Sequence, residues 1–428
     1  MKFKSIKGTR DILPEESYRW QALERELRSV MHLFNYKEIR TPAFEETALF
    51  ARGIGELTDI VSKEMYTFVD RGGDRLTLKP EMTASVIRSY VQHNLGEQQP
   101  LTKVYYISPM FRQERPQAGR MRQFHQFGAE AIGGASADID AEVIALSVEV
   151  YNRFGIKNIS LKINSVGCEH CRPQYKELLK KYLKEKFDEL SQESKQRFEQ
   201  NPLRILDSKD EHDREITKDA PLMKDHLCPE CDKHFSRLQS ALESLKVDFE
   251  VDGRIVRGLD YYTKTAYEIV SADLGSQDAL VGGGRYDLLV KELGGKNTPA
   301  VGFAAGMERL MMVVDKQKSL DAVDVHPYVY FVAADEEGRR WIFEQAFALR
   351  RAGISCDLDM LDRSLKAQMR EADRQRAEYV LVVGGNELKQ QSVNLKNMKT
   401  GEQQSLAVPD VLRTLQNLPR RNEADETN

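Results

Sequence analysis

The chain has 428 residues, 30% of them charged and 41% hydrophobic, and a formal net charge of −4. That length suits about three domains with a sizeable core, and the acidic balance excludes a globally basic nucleic-acid binder, so any RNA contact must use local patches. Residues 1–7 carry no apolar signal-peptide core, and no apolar run approaches the roughly 20 residues of a membrane helix, so a soluble cytoplasmic protein is expected.

In chain order, the first chemically informative elements are Phe111-Arg112-Gln113-Glu114 and Phe124-His125-Gln126-Phe127-Gly128-Ala129-Glu130, joined by a basic loop over residues 115–122. Two strands are predicted. Side chains alternate faces with period two, so Arg112 and Glu114 share one face of the first strand. Phe124, Gln126, Gly128 and Glu130 share one face of the second. A cation, two carboxylates, an amide, an aromatic ring and a glycine that leaves room are thereby collected together. A solvated polar face is the plain alternative. The glycine gap and the apolar flank Val104-Tyr105-Tyr106-Ile107 favour a lined pocket.

A charged, helix-patterned segment follows from about residue 168 to 248, bracketed by Cys168-Glu169-His170-Cys171 and Cys228-Pro229-Glu230-Cys231. Two such pairs match the spacing of a tetrahedral thiolate zinc site that pins the segment's ends together. Unliganded thiols and redox pairs are the alternatives, and His170, His226 and His234 are substitute ligands. The run Arg257-Gly258-Leu259-Asp260-Tyr261-Tyr262-Thr263 then sets a planar cation beside a flexible glycine and two tyrosines, at the entrance of an alternating stretch from Tyr262 to Val270. Val301-Gly302-Phe303-Ala304-Ala305-Gly306-Met307-Glu308-Arg309-Leu310 reads as a strand entering a helix through small residues, a turn suited to anions.

Beyond His326-Pro327 the pattern changes to alternating elements. Strands are predicted over residues 328–333, 354–358 and 379–385, with helices over 336–352 and 364–377. This implies a small sheet with parallel neighbours and crossover helices. Arg363, Lys366, Arg370 and Arg374 form a basic stripe on the second helix, read either as a solvated face or as a phosphate contact. Residues 419–428 are polar and expected to be disordered.

Together these segments resemble the class II aminoacyl-tRNA synthetases. The Phe111–Glu130 region is similar to their motif 2, the turn ending in Glu308-Arg309-Leu310 to motif 3, and Pro42 in Ile39-Arg40-Thr41-Pro42-Ala43-Phe44 to the motif 1 proline at a dimer interface. The run from Arg257 to Thr263 narrows the resemblance to the histidyl-tRNA synthetases, as do Lys7-Gly8-Thr9-Arg10-Asp11 and Lys79-Pro80-Glu81-Met82-Thr83. Ala304 departs from the class pattern, which often has glycine there.

The resemblance implies an α/β multidomain fold. An antiparallel class II catalytic core over residues 1–325 is interrupted by the helical insertion at 168–248, and an α/β anticodon-binding domain spans 326–418. It implies attachment of L-histidine to tRNA(His) through a histidyl-adenylate, with ATP and Mg2+ and as a homodimer. Arg257, Arg112 and Arg309 would be catalytic. Glu81, Met82, Thr83, Arg112, Gln126, Glu130, Arg257, Tyr261 and Tyr262 would bind histidine, and Arg112, Glu114, Phe124 and Arg309 would bind ATP. Arg115, Gln117 and Arg120, with Arg122, would meet the acceptor end of the tRNA. The structural Zn2+ on Cys168, Cys171, Cys228 and Cys231 rests on their spacing and not on the resemblance, since the chemistry does not require it and many members of the family lack these cysteines. The alternative is a catalytically silent, histidine-binding regulatory paralogue of ATP phosphoribosyltransferase. It predicts loss of the C-terminal domain and of the ATP-gripping residues, yet both are present.

Overall fold

A computed structural model of the chain describes residues 3–418 except 56, 57, 59, 118, 209, 257, 258, 260 and 321–325. The predicted disordered tail and Arg257 therefore lie outside the described residues. The chain divides into two compact units, Met1–Ala322 and Val323–Asn428.

The first unit is organised by an eight-stranded sheet. Helix α1 (Pro14–Leu33) opens with proline in its first turn and two glutamates there, which suit a helix start. It leads to β1 (Lys37–Glu38). Then come α2 (Thr83–Gln92), β2 (Thr102–Phe111), β3 (Gln123–Ile132), α3 (Ala137–Arg153) and β4 (Ile159–Ser165). After α4 (Arg172–Lys184) and α5 (Pro229–Ser244) follow β5 (Glu250–Val251), β6 (Thr263–Ser271), β7 (Ala279–Arg285), β8 (Ala300–Gly306) and α6 (Met307–Gln317). The sheet order is β1-β2-β3-β8-β7-β6-β4-β5. The two end pairs, β1 with β2 and β4 with β5, are parallel, and the pairs between them are antiparallel.

The two sheet faces have opposite fates. Phe127, Ala129 and Ala131 of β3, with Phe303 and Ala305 of β8, join Leu23 and Leu27 of α1, Ile144 of α3 and Leu310 of α6 in one apolar core. The alternate residues of β3 face the other way, toward a cavity. The alternation predicted for β3 is therefore present. The first strand, however, stops at Phe111, so Arg112 and Glu114 belong to the connecting segment rather than to a strand face. They still reach the cavity because the Arg112 N–H donates to Arg122 O at 2.9 Å, extending the chain pairing past the strand end.

The segment between β4 and β5 has its own apolar cluster, including Tyr175, Leu179 and Leu183 of α4 and Phe198, Ile205 and Met223. It is fastened to the sheet by buried charge. Asp140 of α3, fully buried, pairs with fully buried Arg285 at the end of β7. Its Oδ2 lies 2.8 Å from His234 Nε2 on α5 and accepts from Thr265 Oγ1 at 2.5 Å. Arg285 also donates to Gly134 O at 2.9 Å and to Asp287 Oδ1 at 3.0 Å. Burial pushes the Asp140 carboxyl up, but Arg285 and His234 outweigh it and hold the group below its ordinary range.

The second unit carries a five-stranded sheet. Its elements are β9 (Val329–Ala333), α7 (Glu336–Arg351), β10 (Cys356–Leu358), α8 (Leu365–Arg374), β11 (Tyr379–Val383), β12 (Ser392–Asn397), β13 (Gln403–Ala407) and α9 (Val411–Asn417). Strand β9 runs parallel to both β10 and β11, as the alternating pattern implies. β12 and β13 then add antiparallel strands that the sequence reading did not anticipate. No helix among the described residues is long and apolar enough to cross a membrane.

Asp140→Asn should leave the buried guanidinium with Asp287 as its remaining counter-charge, a loss of up to roughly 3–5 kcal/mol in unfolding free energy. Urea unfolding measures it; an unchanged midpoint would mean that the carbonyl contacts of Arg285 are sufficient. Because the native pKa of Asp140 is depressed, its contribution is complete above the ordinary value of 3.8 and is lost as pH falls through the lower native value.

Candidate active site

The cavity on the free face of the sheet has a volume of about 210 Å³. Its floor depends on strand register. Glu130 of β3 sits directly opposite Gly302 of β8, and Gly302 in turn opposite Gly284 of β7. A Cβ on Gly302 would lie 1.6 Å from Glu130 Oε2, so glycine at 302 makes room for the carboxyl group. Gly128 does something other than the sequence reading supposed. A Cβ there would meet Tyr106 Oη at 2.4 Å, so its gap is filled by a tyrosine rather than left for a ligand.

Glu130 is fully buried and makes no ion pair among the described residues. Thr83 Oγ1 donates to its Oε1 at 2.8 Å, and Tyr286 Oη donates to its Oε2 at 2.5 Å. Burial pushes its pKa up to about 8, with Glu81 adding to the rise and the Tyr286 and Thr83 hydroxyls opposing it. Glu130 is therefore held mainly as the neutral acid at neutral pH. Glu81 serves as a cap for α2, accepting from the Thr83 N–H at 2.7 Å and the Ala84 N–H at 2.9 Å. Burial raises its pKa too, and those backbone donors work against the rise.

Tyr261 and Tyr262 form an aromatic wall, their ring centroids 4.7 Å apart, and Tyr286 stands 5.5 Å from Tyr261. The Gln126 Oε1 atom is buried without a hydrogen-bond partner, an acceptor left open inside the cavity. This end of the cavity is thus an aromatic-walled slot with a buried acid of raised pKa, an amide acceptor unpartnered among the described residues, and hydroxyls. A small polar ring fits that chemistry.

The other end is cationic. Arg112 is fixed by its Nε donating to Pro80 O at 2.8 Å and lies 5.3 Å from the Phe124 ring centroid. Arg309 donates from Nη1 to Ala279 O at 2.7 Å and from Nε to Gly119 O at 3.2 Å. Burial, with Arg120 and Arg112 nearby, lowers its pKa. Glu114 lies 3.6 Å from Arg112 Nη1 and 3.4 Å from Arg120 Nε. Both arginines that the resemblance assigns to nucleotide contact are therefore oriented by neutral carbonyls; Arg112 is partly offset by Glu114, whereas Arg309 has no ion pair among the described residues. Glu308 also lines the cavity, with its carboxylate accepting the His125 backbone N–H at 3.0 Å.

The cavity thus brings together Glu81, Thr83, Arg112, Glu114, Phe124, Gln126, Tyr261, Tyr262 and Arg309 at its lining, with Glu130 beneath it. Met82 is not brought there: its side chain is buried in the neighbouring core and its Sδ accepts from Thr41 Oγ1 at 3.5 Å. Arg115 and Gln117 are exposed, and Gln117 and Arg120 exchange both backbone hydrogen bonds at the loop tip, at 3.1 and 2.9 Å. Arg122 is tied in by its N–H to Gly8 O at 2.7 Å. Tyr286 was missed; the only sequence signal was its place at the end of the glycine run 282–284.

The four cysteines converge. Their sulfurs lie within 4.8 Å of one another, with Cys168 3.7 Å from both Cys171 and Cys228, and Cys171 3.8 Å from Cys231. Metal–sulfur bonds of about 2.3 Å in a tetrahedron give edges of about 3.8 Å, so the set fits a tetrahedral metal. The histidines offered as substitute ligands are elsewhere engaged or exposed: His234 binds Asp140, His226 lies against Tyr175, and His170 is exposed. In the second unit the basic stripe is partly neutralised. Arg363 precedes the helix and pairs with Asp359, and Glu371 takes Arg363 at 3.1 Å as well as Arg374. Lys366 and Arg370 have no ion pair among the described residues.

Comparison with known proteins agrees with this geometry. The histidyl-tRNA synthetase family profile matches residues 8–310, and an anticodon binding domain profile matches residues 342–418. The histidine–tRNA ligase of Chloroherpeton thalassium is 51% identical over 419 residues, covering 97% of this chain and 98% of that protein. That of Caldanaerobacter subterraneus subsp. tengcongensis is 46% identical over 414 residues, covering 97% and 99%. The apo histidyl-tRNA synthetase of S. aureus superposes with a TM-score of 0.82 at 36% identity, covering 97% of this chain and all of that one. On profile, full-length identity and fold alike, the chain belongs to the histidyl-tRNA synthetase family of class II aminoacyl-tRNA synthetases.

Proposed function

We propose that the chain attaches L-histidine to tRNA(His) in two steps, both in the cavity above β3 and β8. In the first, a carboxylate oxygen of histidine attacks the α-phosphorus of ATP in line, and pyrophosphate leaves. In the second, a hydroxyl of the 3′-terminal ribose attacks the carbonyl carbon of the adenylate, and AMP leaves. The observation that carries this reading is the pairing of a neutral, aromatic-walled slot with a set of carbonyl-aimed guanidiniums in one cavity. Such chemistry needs charge neutralisation and alignment more than a protein nucleophile.

Histidine would lie with its imidazole between Tyr261, Tyr262 and the Glu130 carboxyl, and its α-amino group toward Glu81 and Thr83. Gln126 offers an open acceptor beside it. Arg112 would meet the α-phosphate and the histidine carboxylate, and Phe124 would stack on adenine. Glu114 would accept from the adenine amino group, and Arg309 would lie over the phosphates. Arg257 is assigned to the α-phosphate on sequence grounds, since a guanidinium offers two parallel donors to oxygens that gain charge in the transition state. Magnesium would accompany ATP and offset charge on its phosphate oxygens. Arg115, Gln117, Arg120 and Arg122 would receive the acceptor end of the tRNA. A homodimer built on the exposed segment at Pro42, Ala43 and Phe44, working in the cytoplasm, completes the reading. A silent regulatory role has less support, because Arg112, Glu114 and Arg309 converge and the second unit is present.

Histidine-dependent exchange of pyrophosphate into ATP tests the first step; an enzyme that binds histidine without exchange would be the silent regulator instead. Glu130→Gln should raise the histidine KM and lower kcat/KM while the ATP KM stays nearly constant. A parallel rise in the ATP KM would remove Glu130 from the histidine contacts. The same variant carries a pH signature. The native pKa of Glu130 is raised to about 8 from 4.5, so its share of stability is full below 4.5 and is lost as pH rises to about 8. Thermal melts of ligand-free protein should therefore show the parent losing stability over that range relative to Glu130→Gln.

We further propose that Cys168, Cys171, Cys228 and Cys231 hold one structural zinc as thiolates, closing the insert at its base. Elemental analysis of chelator-washed protein should find about one zinc per chain. Cys228→Ser should reduce that content and lower the melting temperature of the insert. Metal-free protein with four freely titrating thiols would end the idea.

A further inference from the structure

The four-cysteine centre lies within two residues of contacts that shape the cavity wall. On one arm, Gly167 precedes Cys168, and its carbonyl accepts from the Lys264 N–H at 2.8 Å; the Val166 N–H donates to Lys264 O at 2.7 Å. Arg172 follows Cys171 directly at the start of α4. Its Nε donates to Val166 O at 3.2 Å, and its Nη2 to Gly167 O at 3.4 Å and to the Tyr262 carbonyl. One guanidinium thus gathers three backbone carbonyls, two from the cysteine arm and one from the aromatic wall. On the other arm, His234 lies three residues beyond Cys231 on α5. It holds Asp140, which pairs with Arg285, the neighbour of Tyr286. Tyr286 donates to Glu130.

We propose that Arg172 is a positioning residue for the amino-acid slot, fixing the Tyr262 wall to the base of the cysteine-closed insert. This rests on the assignment of that slot to histidine. Arg172 is not among the described residues that line the cavity, and its three carbonyl bonds go to the cysteine arm and the Tyr262 wall, so its effect falls on histidine rather than on ATP. A fork of fixed donors can hold three carbonyls in one arrangement, whereas a lysine ammonium reaches fewer and from a flexible stem.

The test uses the full-length chain as purified. Histidine affinity is measured by calorimetry without ATP, and both KM values by pyrophosphate exchange. Losing charge-assisted bonds to the wall in Arg172→Ala should raise the histidine Kd and KM by about tenfold or more, with the ATP KM within about twofold of the parent. Arg172→Lys should recover part of the loss. If Arg172→Ala fails to fold, Arg172→Lys and Arg172→Gln carry the same comparison. Tyr182→Phe serves as a control for general loosening. It deletes a 2.9 Å hydrogen bond to Ile216 O inside the insert and should leave histidine affinity at the parental value. Equal losses for histidine and ATP, or a loss in Tyr182→Phe matching that in the Arg172 variants, would overturn the proposal. If the Arg172 variants bind histidine normally while Glu130→Gln does not, the bridge alone has failed. If Glu130→Gln also binds normally, the assignment of the slot is what has failed.

Discussion

A buried carboxyl group with no ion-pair partner among the described residues, held in the floor of the cavity, is the constraint around which the site is built. Glu130 stays there because two hydroxyls, from Thr83 and Tyr286, donate to it, and because Gly302 directly across the ladder leaves the space. Burial without a counter-charge favours the neutral acid. The remaining geometry follows from keeping that acid dry. Tyr106 fills the gap at Gly128, Tyr261 and Tyr262 wall the slot, and the opposite face of β3 is locked into an apolar core.

The proposed nucleotide end uses the reverse strategy. Arg112 and Arg309 are placed by donation to the carbonyls of Pro80 and Ala279, which fix direction while leaving Arg309 without an ion pair among the described residues. Glu114 lies between Arg112 and Arg120 at ion-pair rather than hydrogen-bond distance, with its Oε2 lacking a hydrogen-bond partner. A polyanion entering this end meets donors already aimed, so little reorganisation is needed when charge develops. The two ends share one sheet and line one cavity.

The insert is more than an appendage. Its cysteines sit where its two ends meet, and its first and last helices send Arg172 and His234 back into the sheet. The Asp140–Arg285 pair links that return to the strand that ends beside Tyr286. Buried ion pairs of this kind specify one arrangement more than they add stability.

Much of this was legible in the sequence. Period-two alternation placed Gln126 and Glu130 on one face, since it is local and survives any tertiary context. The cysteine spacing pointed to one centre, and the motif order to one family. The tertiary structure alone decided the rest. Arg112 and Glu114 lie past the end of β2, where strand parity no longer applies, yet the backbone pairing of Arg112 with Arg122 keeps them at the cavity. The purpose of Gly128, the role of Tyr286 and the removal of His234 from the ligand set depend on partners such as Tyr106, Glu130 and Asp140. Glu130 and Tyr286 are 156 positions apart, and Asp140 and His234 are 94. Local patterns record which way a side chain points; they carry no record of what meets it from a strand or helix folded in from so far along the chain.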